Sequence, residues 1–435
     1  MKKKIVSTLL AAAMVLSLAA CGGGSSDGGS SGGGSSSSDP NTIRLVNGKI
    51  EVDAQLKKLA EMYKEETGVT VEIEFMGGGV DIQGTIKGYY QAGNMPDIFV
   101  NALEPEFANW KGLLADMSDE KWASDTDGAY INEDGTVGFP YSTEGIGLAY
   151  NTEILKKAGI DPTKLTGPAA IEEAFKTLDS KKGELGIDAV VGYCAEPKDL
   201  YWSTGQHLFA NYLDAGLARD DTTYIDKLND GGKLDEKRLT DFAKFVDMLN
   251  RYSDPALLVS GTYDQQILNF ASGKYAFVTQ GSWVGATMTT DDKDAYEAAG
   301  SFEVGMIPYA FEDGIDTILT NSPSWWSVYS EGNVDAAKAF LQWLSEDKAQ
   351  KVLVEEAGFI SPFKSCTYIA PDPFAKAMVD YISNEKTSSW HWLNMKEGYA
   401  MNYTGQVFAD FAAGNLDVDG FVKTMQQVSE ACYAN

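Results

Sequence analysis

The stretch IRLVNGKIEVDAQLKKLAEMYKEETGVTVEIEFMGGGVDIQGTIKGYYQAGNMPDIFV, residues 43–100, decides the fold. Ile43-Arg44-Leu45-Val46 reads as a short strand. From Glu51 to Thr67 the apolar residues Leu56, Leu59, Ala60 and Tyr63 recur at helical spacing, and Gly68 is placed to stop the helix in a left-handed turn. Val69, Val71, Ile73 and Phe75 then alternate with polar partners, the two-residue period of a strand. A second helix is predicted over about Asp81 to Ala92, and Pro96-Asp97-Ile98-Phe99-Val100 opens a third strand. Strand, helix, strand, helix, strand with tight links predicts a right-handed parallel sheet in an α/β fold. Ligands of such sheets sit beyond the carboxyl ends of the strands. Here those ends are Asn47 to Glu51 and Asn101 to Glu104.

Further along, the pattern is mainly helical. Phe242, Phe245, Val246 and Leu249 mark one amphipathic helix. Asn333 caps another that runs to about Gln350, with Ala336, Ala337, Phe340, Leu341 and Leu344 inward. Tyr275-Ala276-Phe277-Val278 and Trp326-Ser327-Val328-Tyr329 read as strands between them, and no internal repeat occurs. The chain from residue 41 runs for about 395 residues. Single cores stop growing near roughly 250–300 residues, so two domains are expected.

Upstream lies a different kind of segment. Lys2, Lys3 and Lys4 precede an apolar run from Ile5 to Leu18, which ends in Leu18-Ala19-Ala20-Cys21. This is the layout of an export signal over residues 1–20, too short to span a hydrocarbon core of about 30 Å comfortably. With a cysteine after the small pair, it resembles the lipobox of bacterial lipoproteins. That resemblance implies that Cys21 becomes a lipidated N-terminus carrying acyl chains such as palmitate. Residues 21–40 are almost entirely Gly and Ser after the cysteine. Such a segment behaves as a flexible tether reaching roughly 24 Å, and two or three acyl chains anchor stably where one does not.

The full chain carries a net charge of −28, which excludes nucleic-acid binding, since that needs a basic face. Beyond Cys21 only Cys194, Cys366 and Cys432 remain. An odd count without metal-ligand spacing argues against a disulfide scaffold and a zinc site, although one bridge of unspecified pairing stays open. Only two histidines are present, His207 and His391, too far apart to read as a metal motif. There is no Gly-x-Ser-x-Gly, P-loop or His-Glu-x-x-His, and Gly77-Gly78-Gly79 is too little to cradle a phosphate. Asp125-Thr126-Asp127-Gly128 and Asp134-Gly135 hint at a calcium loop but lack the full ligand spacing, so a solvated turn is expected. No cofactor, metal or catalytic residue is expected.

Tryptophan placement is the informative chemistry. Three of the clusters formed by the nine tryptophans fall at expected loops or strand ends: Gly281-Ser282-Trp283, Ser324-Trp325-Trp326 and Trp390-His391-Trp392. An indole is flat and rigid with one donor, so it stacks on an apolar sugar face while polar neighbours bond the hydroxyls.

Pro96-Asp97-Ile98-Phe99, followed by the run Phe139-Pro140-Tyr141-Ser142-Thr143-Glu144-Gly145-Ile146-Gly147-Leu148-Ala149-Tyr150-Asn151, resembles the extracellular solute-binding proteins, the family that contains the maltose-binding proteins. Three later segments keep the family's order: Gly273 to Phe277 with Gly281-Ser282-Trp283, Ala336 to Leu341, and Phe359 to Phe363. The resemblance covers essentially the whole body. It implies a periplasmic-binding-protein fold of two α/β lobes joined by three crossings, near Ser142–Leu148, Leu319–Trp326 and Gly358–Pro362. One lobe then comprises residues 41–143 plus 325–359, and the other 144–324 plus 360–435. It also implies a monomeric binding protein, not an enzyme, that closes on a carbohydrate and delivers it to the transmembrane permease subunits of an ABC importer.

Carried over residue by residue, the resemblance implies a binding site. Asn47, Lys49 and Glu51 fall in the loop after the first strand, where the family places polar sugar contacts. Asn101 and Glu104 follow the third strand, and Glu104 matches a sugar-binding carboxylate. Tyr141 and Glu144 sit at the first crossing, and Glu144 matches another. Trp283 matches the stacking aromatic of the second lobe, with Trp390 or Trp392 a further one. Trp325 and Trp326 lie beside the second crossing, and alternation implies that one faces the cleft and the other the core. A maltose-type aromatic is missing at Asn101, and Pro105 replaces a family arginine, so an oligosaccharide other than maltodextrin is expected. The competing readings are a binding lipoprotein for a polyamine, metal chelate or peptide, a glycan-acting surface enzyme, and a sensor feeding a membrane kinase.

Overall fold

The computed structural model describes residues 41–49, 52–77 and 80–434. Cys21, the signal, the tether and Glu51 therefore lie outside the described residues. The opening stretch folds as strand β1 (Thr42–Asn47), helix α1 (Asp53–Thr67), strand β2 (Thr70–Phe75), helix α2 (Ile82–Gln91) and strand β3 (Ile98–Asn101). β1 pairs in parallel with both β2 and β3. Leu56, Leu59, Ala60 and Tyr63 are the buried face of α1, and Gly68 ends it at a φ of 80°. Burying such a face contributes about 1.5–3 kcal/mol for each large apolar side chain.

The complete sheet has six strands, with β2, β1 and β3 side by side at one end and three further strands beyond β3. Helix α3 (Glu104–Asn109) follows β3, and then come β4 (Tyr130–Asn132) and β5 (Gly135–Pro140). Much later the chain returns as β12 (Trp325–Val328), antiparallel to β3 on one side and β5 on the other. The parallel start is thus one half of a mixed sheet.

Between these visits the chain builds two further sheets. Strands β6 (Glu144–Ile146), β11 (Ile318–Asn321) and β13 (Thr387–Ser388) form a three-stranded sheet in which β6 and β11 run antiparallel. The second comprises β7 (Leu148–Asn151), β8 (Ala189–Gly192), β9 (Tyr275–Val278) and β10 (Val304–Ile307), in the order β10-β7-β9-β8. The expected strand at 275–278 is therefore found as predicted.

One apolar cluster lies on a single face of the six-stranded sheet and includes Leu45, Ile98, Phe139, Trp326, Phe340 and Phe359. A larger cluster joins the other face, through Val46, Phe99 and Trp325, to the four-stranded sheet and its helices. The described residues pack as one compact unit.

One expectation shifts. The helix predicted from Asn333 to Gln350 is two helices, Val334–Leu344 and Asp347–Lys351. The break falls at Ser345, whose hydroxyl donates to Gln342 O at 2.6 Å and so competes with the backbone. Past the boundary expected between residues 359 and 360, the chain keeps contact with the six-stranded sheet. Phe363 packs on Phe139 at 5.4 Å, and Lys364 N donates to Asp125 O at 2.8 Å, which keeps the chain on the six-stranded sheet to about Cys366.

Cys194, Cys366 and Cys432 are each free thiols. Asp125 accepts from Ser365 N, and Asp127 pairs with Lys364 at 2.6 Å. Among the described residues no group of three or more His, Cys, Asp or Glu is placed to hold a metal.

Candidate functional site

β6 begins directly after the six-stranded sheet ends at Pro140, so Glu144 stands where the chain passes from one sheet to the next. Thr143 bridges Ile360 in antiparallel fashion, and Asn321 of β11 lies opposite Glu144. Residues of the stretches 142–148, 319–326 and 358–362 thus meet here. A narrow pocket opens at this junction, walled by Lys49, Glu144, Trp283, Phe359 and Asp372.

Lys49 Nζ reaches Glu144 Oε1 at 2.5 Å, and both side chains are nearly removed from water. The ion pair holds a charged pocket floor in place. Trp283 is positioned by the Gly-Ser-Trp turn itself. Ser282 N donates to Gly145 O at 2.9 Å, and Gly145 N donates to Ser282 Oγ at 3.0 Å. Gly281 is required because any Cβ there would collide with the Trp283 ring and with Gly145 O. The turn is thereby pinned to β6, next to Glu144.

Trp283 heads an aromatic group. The His207 ring lies 4.9 Å from Trp283, 5.1 Å from Trp392, 5.3 Å from Trp202 and 5.9 Å from Trp390. Between the two tryptophans of the 390s loop, His391 is clamped by buried Asp214. His391 Nδ1 lies 2.5 Å from Asp214 Oδ1, and its backbone N–H donates to Oδ2 at 2.9 Å. Burial opposes charge on His391, but the Asp214 carboxylate outweighs it and raises the imidazole pKa.

Several residues expected at the site are turned away from the pocket. Asn47 is buried, donating to Lys49 O at 2.7 Å and accepting from Trp326 Nε1 at 3.2 Å. Asn101 accepts from Gln83 at 3.1 Å and donates to Ser327 Oγ at 2.9 Å. Each asparagine spends a donor and an acceptor on tying a strand end to its neighbours, and both are fully buried and absent from the pocket wall. Tyr141 stacks on Trp326 at 4.5 Å inside the core, with its hydroxyl against Ser324 Oγ. Trp326 is fully buried in that core. Trp325 points to the opposite face, beside Tyr130 and Phe107, with its indole N–H on Gly128 O at 2.6 Å. Glu104 is exposed and meets the Asn394 amide near the 390s loop. It thus stands outside the Lys49–Glu144 pocket. The carboxylate that this loop buries is Glu106, which accepts from Ala102 N at 2.6 Å and Leu103 N at 3.2 Å. Burial pushes its pKa to about 7 against those two bonds, with Glu397 adding to the shift.

The residues that sequence reading missed are Trp202, His207 and Asp372. Asp372 lies on the pocket wall and accepts from Phe374 N at 2.8 Å. Burial raises its pKa to about 7, against the backbone N–H groups that lower it. Its Asp-Pro-Phe context has the look of any surface turn, so nothing in the sequence marks it. The arrangement as a whole offers fixed charges beside indole and imidazole faces, the chemistry of a small-molecule binding site.

The profile of the bacterial extracellular solute-binding proteins matches residues 58–379. No curated protein matches the chain in sequence. Among solved structures, a chitin oligosaccharide binding protein is similar with a TM-score of 0.74 and 19% identity, over 91% of this chain and 99% of that one. The solute-binding protein RafE in complex with raffinose has a TM-score of 0.72 and 18% identity, over 90% and 99% of the two chains. A sugar transporter from Bacillus licheniformis in complex with stachyose has a TM-score of 0.69 and 18% identity, over 89% and 98%. These likenesses show the periplasmic-binding-protein-like fold. With more than half of its length matched by the family profile, the chain belongs to the bacterial extracellular solute-binding proteins, which bind solutes and are not enzymes.

Proposed function

We propose that the protein is the extracytoplasmic substrate-binding lipoprotein of an ABC importer, and that it captures an oligosaccharide between two lobes and delivers it to the permease. The lobes are residues 41–143 plus 325–366 and 144–324 plus 367–434, joined by the three stretches that meet at Glu144. Ligand contacts common to both lobes favour the closed state, and the importer reads that state. Cys21 tethers the body to the extracytoplasmic face of the cell membrane through the Gly/Ser segment.

One observation carries the ligand class: a buried Lys49–Glu144 ion pair stands beside Trp283 at the junction of the sheets. A carboxylate accepts two hydroxyl protons while an indole covers the sugar face. Solved proteins of the same fold hold raffinose and stachyose, and another binds chitin oligosaccharide. The ligand-contacting set is Lys49, Glu144, Trp283, Trp390 and Trp392, with Glu104 at the rim and Glu51 in the loop after β1. Tryptophan fluorescence titrated with a panel of neutral oligosaccharides, spermidine and peptides tests the reading. A saturable change with one sugar class supports it; a response to spermidine or peptide alone rejects it.

A further inference from the structure

Beside the Lys49–Glu144 pocket lies a set of polar atoms that the fold leaves unanswered. The Nδ1 of His207 and the Nε1 atoms of Trp283, Trp390 and Trp392 are all buried, and none has a hydrogen-bond partner. Native proteins leave only a few such atoms per hundred residues. Here four fall within a single ring-to-ring contact group, since His207 touches all three indoles.

The local backbone is unusual at the same place. Ser203–Leu208 is a π-type turn, a widened helix that occurs frequently at functional sites. Gly205 packs against Ala400 and Thr404, which belong to a second π-type turn, Ala400–Thr404. Two π-type turns therefore pack against each other beside His207. A histidine with a purely packing role would satisfy its ring nitrogen locally, and this one does not.

We propose that His207, with the indole N–H groups of Trp283, Trp390 and Trp392, forms a hydrogen-bonding subsite for a second, neutral, oxygen-rich sugar ring next to the Lys49–Glu144 pocket. The inference rests on the carbohydrate reading and extends it to a ligand of at least two rings. Each indole is a donor only, whereas a neutral imidazole donates at one nitrogen and accepts at the other. The set therefore has an excess of donors. It suits ether, hydroxyl and acetamido oxygens and disfavours an ammonium group, which has nothing but donors. Burial, with the Lys49 charge adding, holds the His207 pKa down to about 3, so the imidazole is neutral near pH 7.

The test is calorimetric titration of raffinose, stachyose, triacetylchitotriose and xylotriose into the wild-type protein, His207→Phe and His207→Asn. Phenylalanine keeps the ring and loses both nitrogens, and asparagine restores a polar group near Nδ1. For whichever probe binds the wild type, we expect His207→Phe to weaken it at least tenfold and His207→Asn to stay within about threefold. Equal affinity for wild type and His207→Phe overturns the subsite while leaving the carbohydrate reading intact. If no probe binds the wild type, the carbohydrate reading falls and the subsite with it. Should His207→Phe fail to fold, the indole N–H resonances of the wild type give the answer. At least two of the three must shift when a bound probe saturates the protein, and stationary resonances reject the proposal.

Discussion

Lys49 Nζ lies 2.5 Å from Glu144 Oε1, and the two side chains are only 10% and 7% exposed. Lys49 comes from the loop after β1 and Glu144 from the first strand beyond the six-stranded sheet, so the pair ties two parts of the fold together. Removing one partner of a buried pair leaves a charge with little water, at a cost of about 3–5 kcal/mol. Glu144→Gln should therefore lower the unfolding free energy by about that amount in urea denaturation. Lys49→Met combined with Glu144→Gln should recover most of the loss. A single variant as stable as the wild type contradicts a buried pair.

The 390s loop is held to the first sheet's helices by charge. Glu397 receives Lys87 Nζ at 3.1 Å and Asn109 Nδ2 at 3.1 Å. Both charged side chains are over a third exposed, so the ion pair is worth up to about 1 kcal/mol and salt screens it. Glu397→Ala should enlarge the radius of gyration of the free protein in small-angle scattering and weaken ligand up to about fivefold. High salt should reproduce part of the expansion in the wild type only. An unchanged scattering profile removes Glu397 as a latch.

Asp372 makes stability depend on pH. Its folded pKa of about 7 lies above the ordinary carboxylate value because of burial. The folded state therefore holds the proton longer than the unfolded state, and stability falls as pH rises from about 4 to 7. His391 acts in the same direction. The bond to Asp214 raises its pKa, so its contribution is complete below about 6.5 and is lost as pH climbs through the folded value. Asp372→Asn should raise the melting temperature above pH 7, by an effect on the order of 2–4 kcal/mol, and leave it near wild type at pH 4. His391→Asn should flatten only the higher part of the profile. A wild-type melting curve independent of pH between 4 and 8 contradicts both.

The anchor has its own test. Cys21→Ala should release the protein into the medium and abolish incorporation of labelled palmitate. Membrane retention of the variant at wild-type level argues against a lipid tether.

Much of the first half-sheet was legible because its signals are local. The spacing of Leu56, Leu59 and Tyr63 gave α1, and the alternation from Val69 to Phe75 gave β2. The insertion of β12 between β3 and β5 was not, since hydrogen-bond partners far apart in the chain leave no trace in periodicity. The same limit explains Asn47 and Asn101. Each looks like a free amide at a strand end, but Trp326, Ser327 and Gln83 arrive from other segments to occupy it. Trp283, Trp390 and Trp392 stood out by composition, and the structure does bring them together. His207 and Trp202 join them through a widened helical turn, which no helical or strand period reports.

The most direct measurement is isothermal titration of the wild type and Trp283→Ala with raffinose, stachyose, triacetylchitotriose, xylotriose, maltotriose and spermidine. One class of neutral oligosaccharide other than maltotriose should bind one-to-one, and Trp283→Ala should weaken it at least tenfold, or about 1.4 kcal/mol. Binding of spermidine with none of the sugars, or a sugar affinity untouched by the loss of the Trp283 indole, contradicts this expectation.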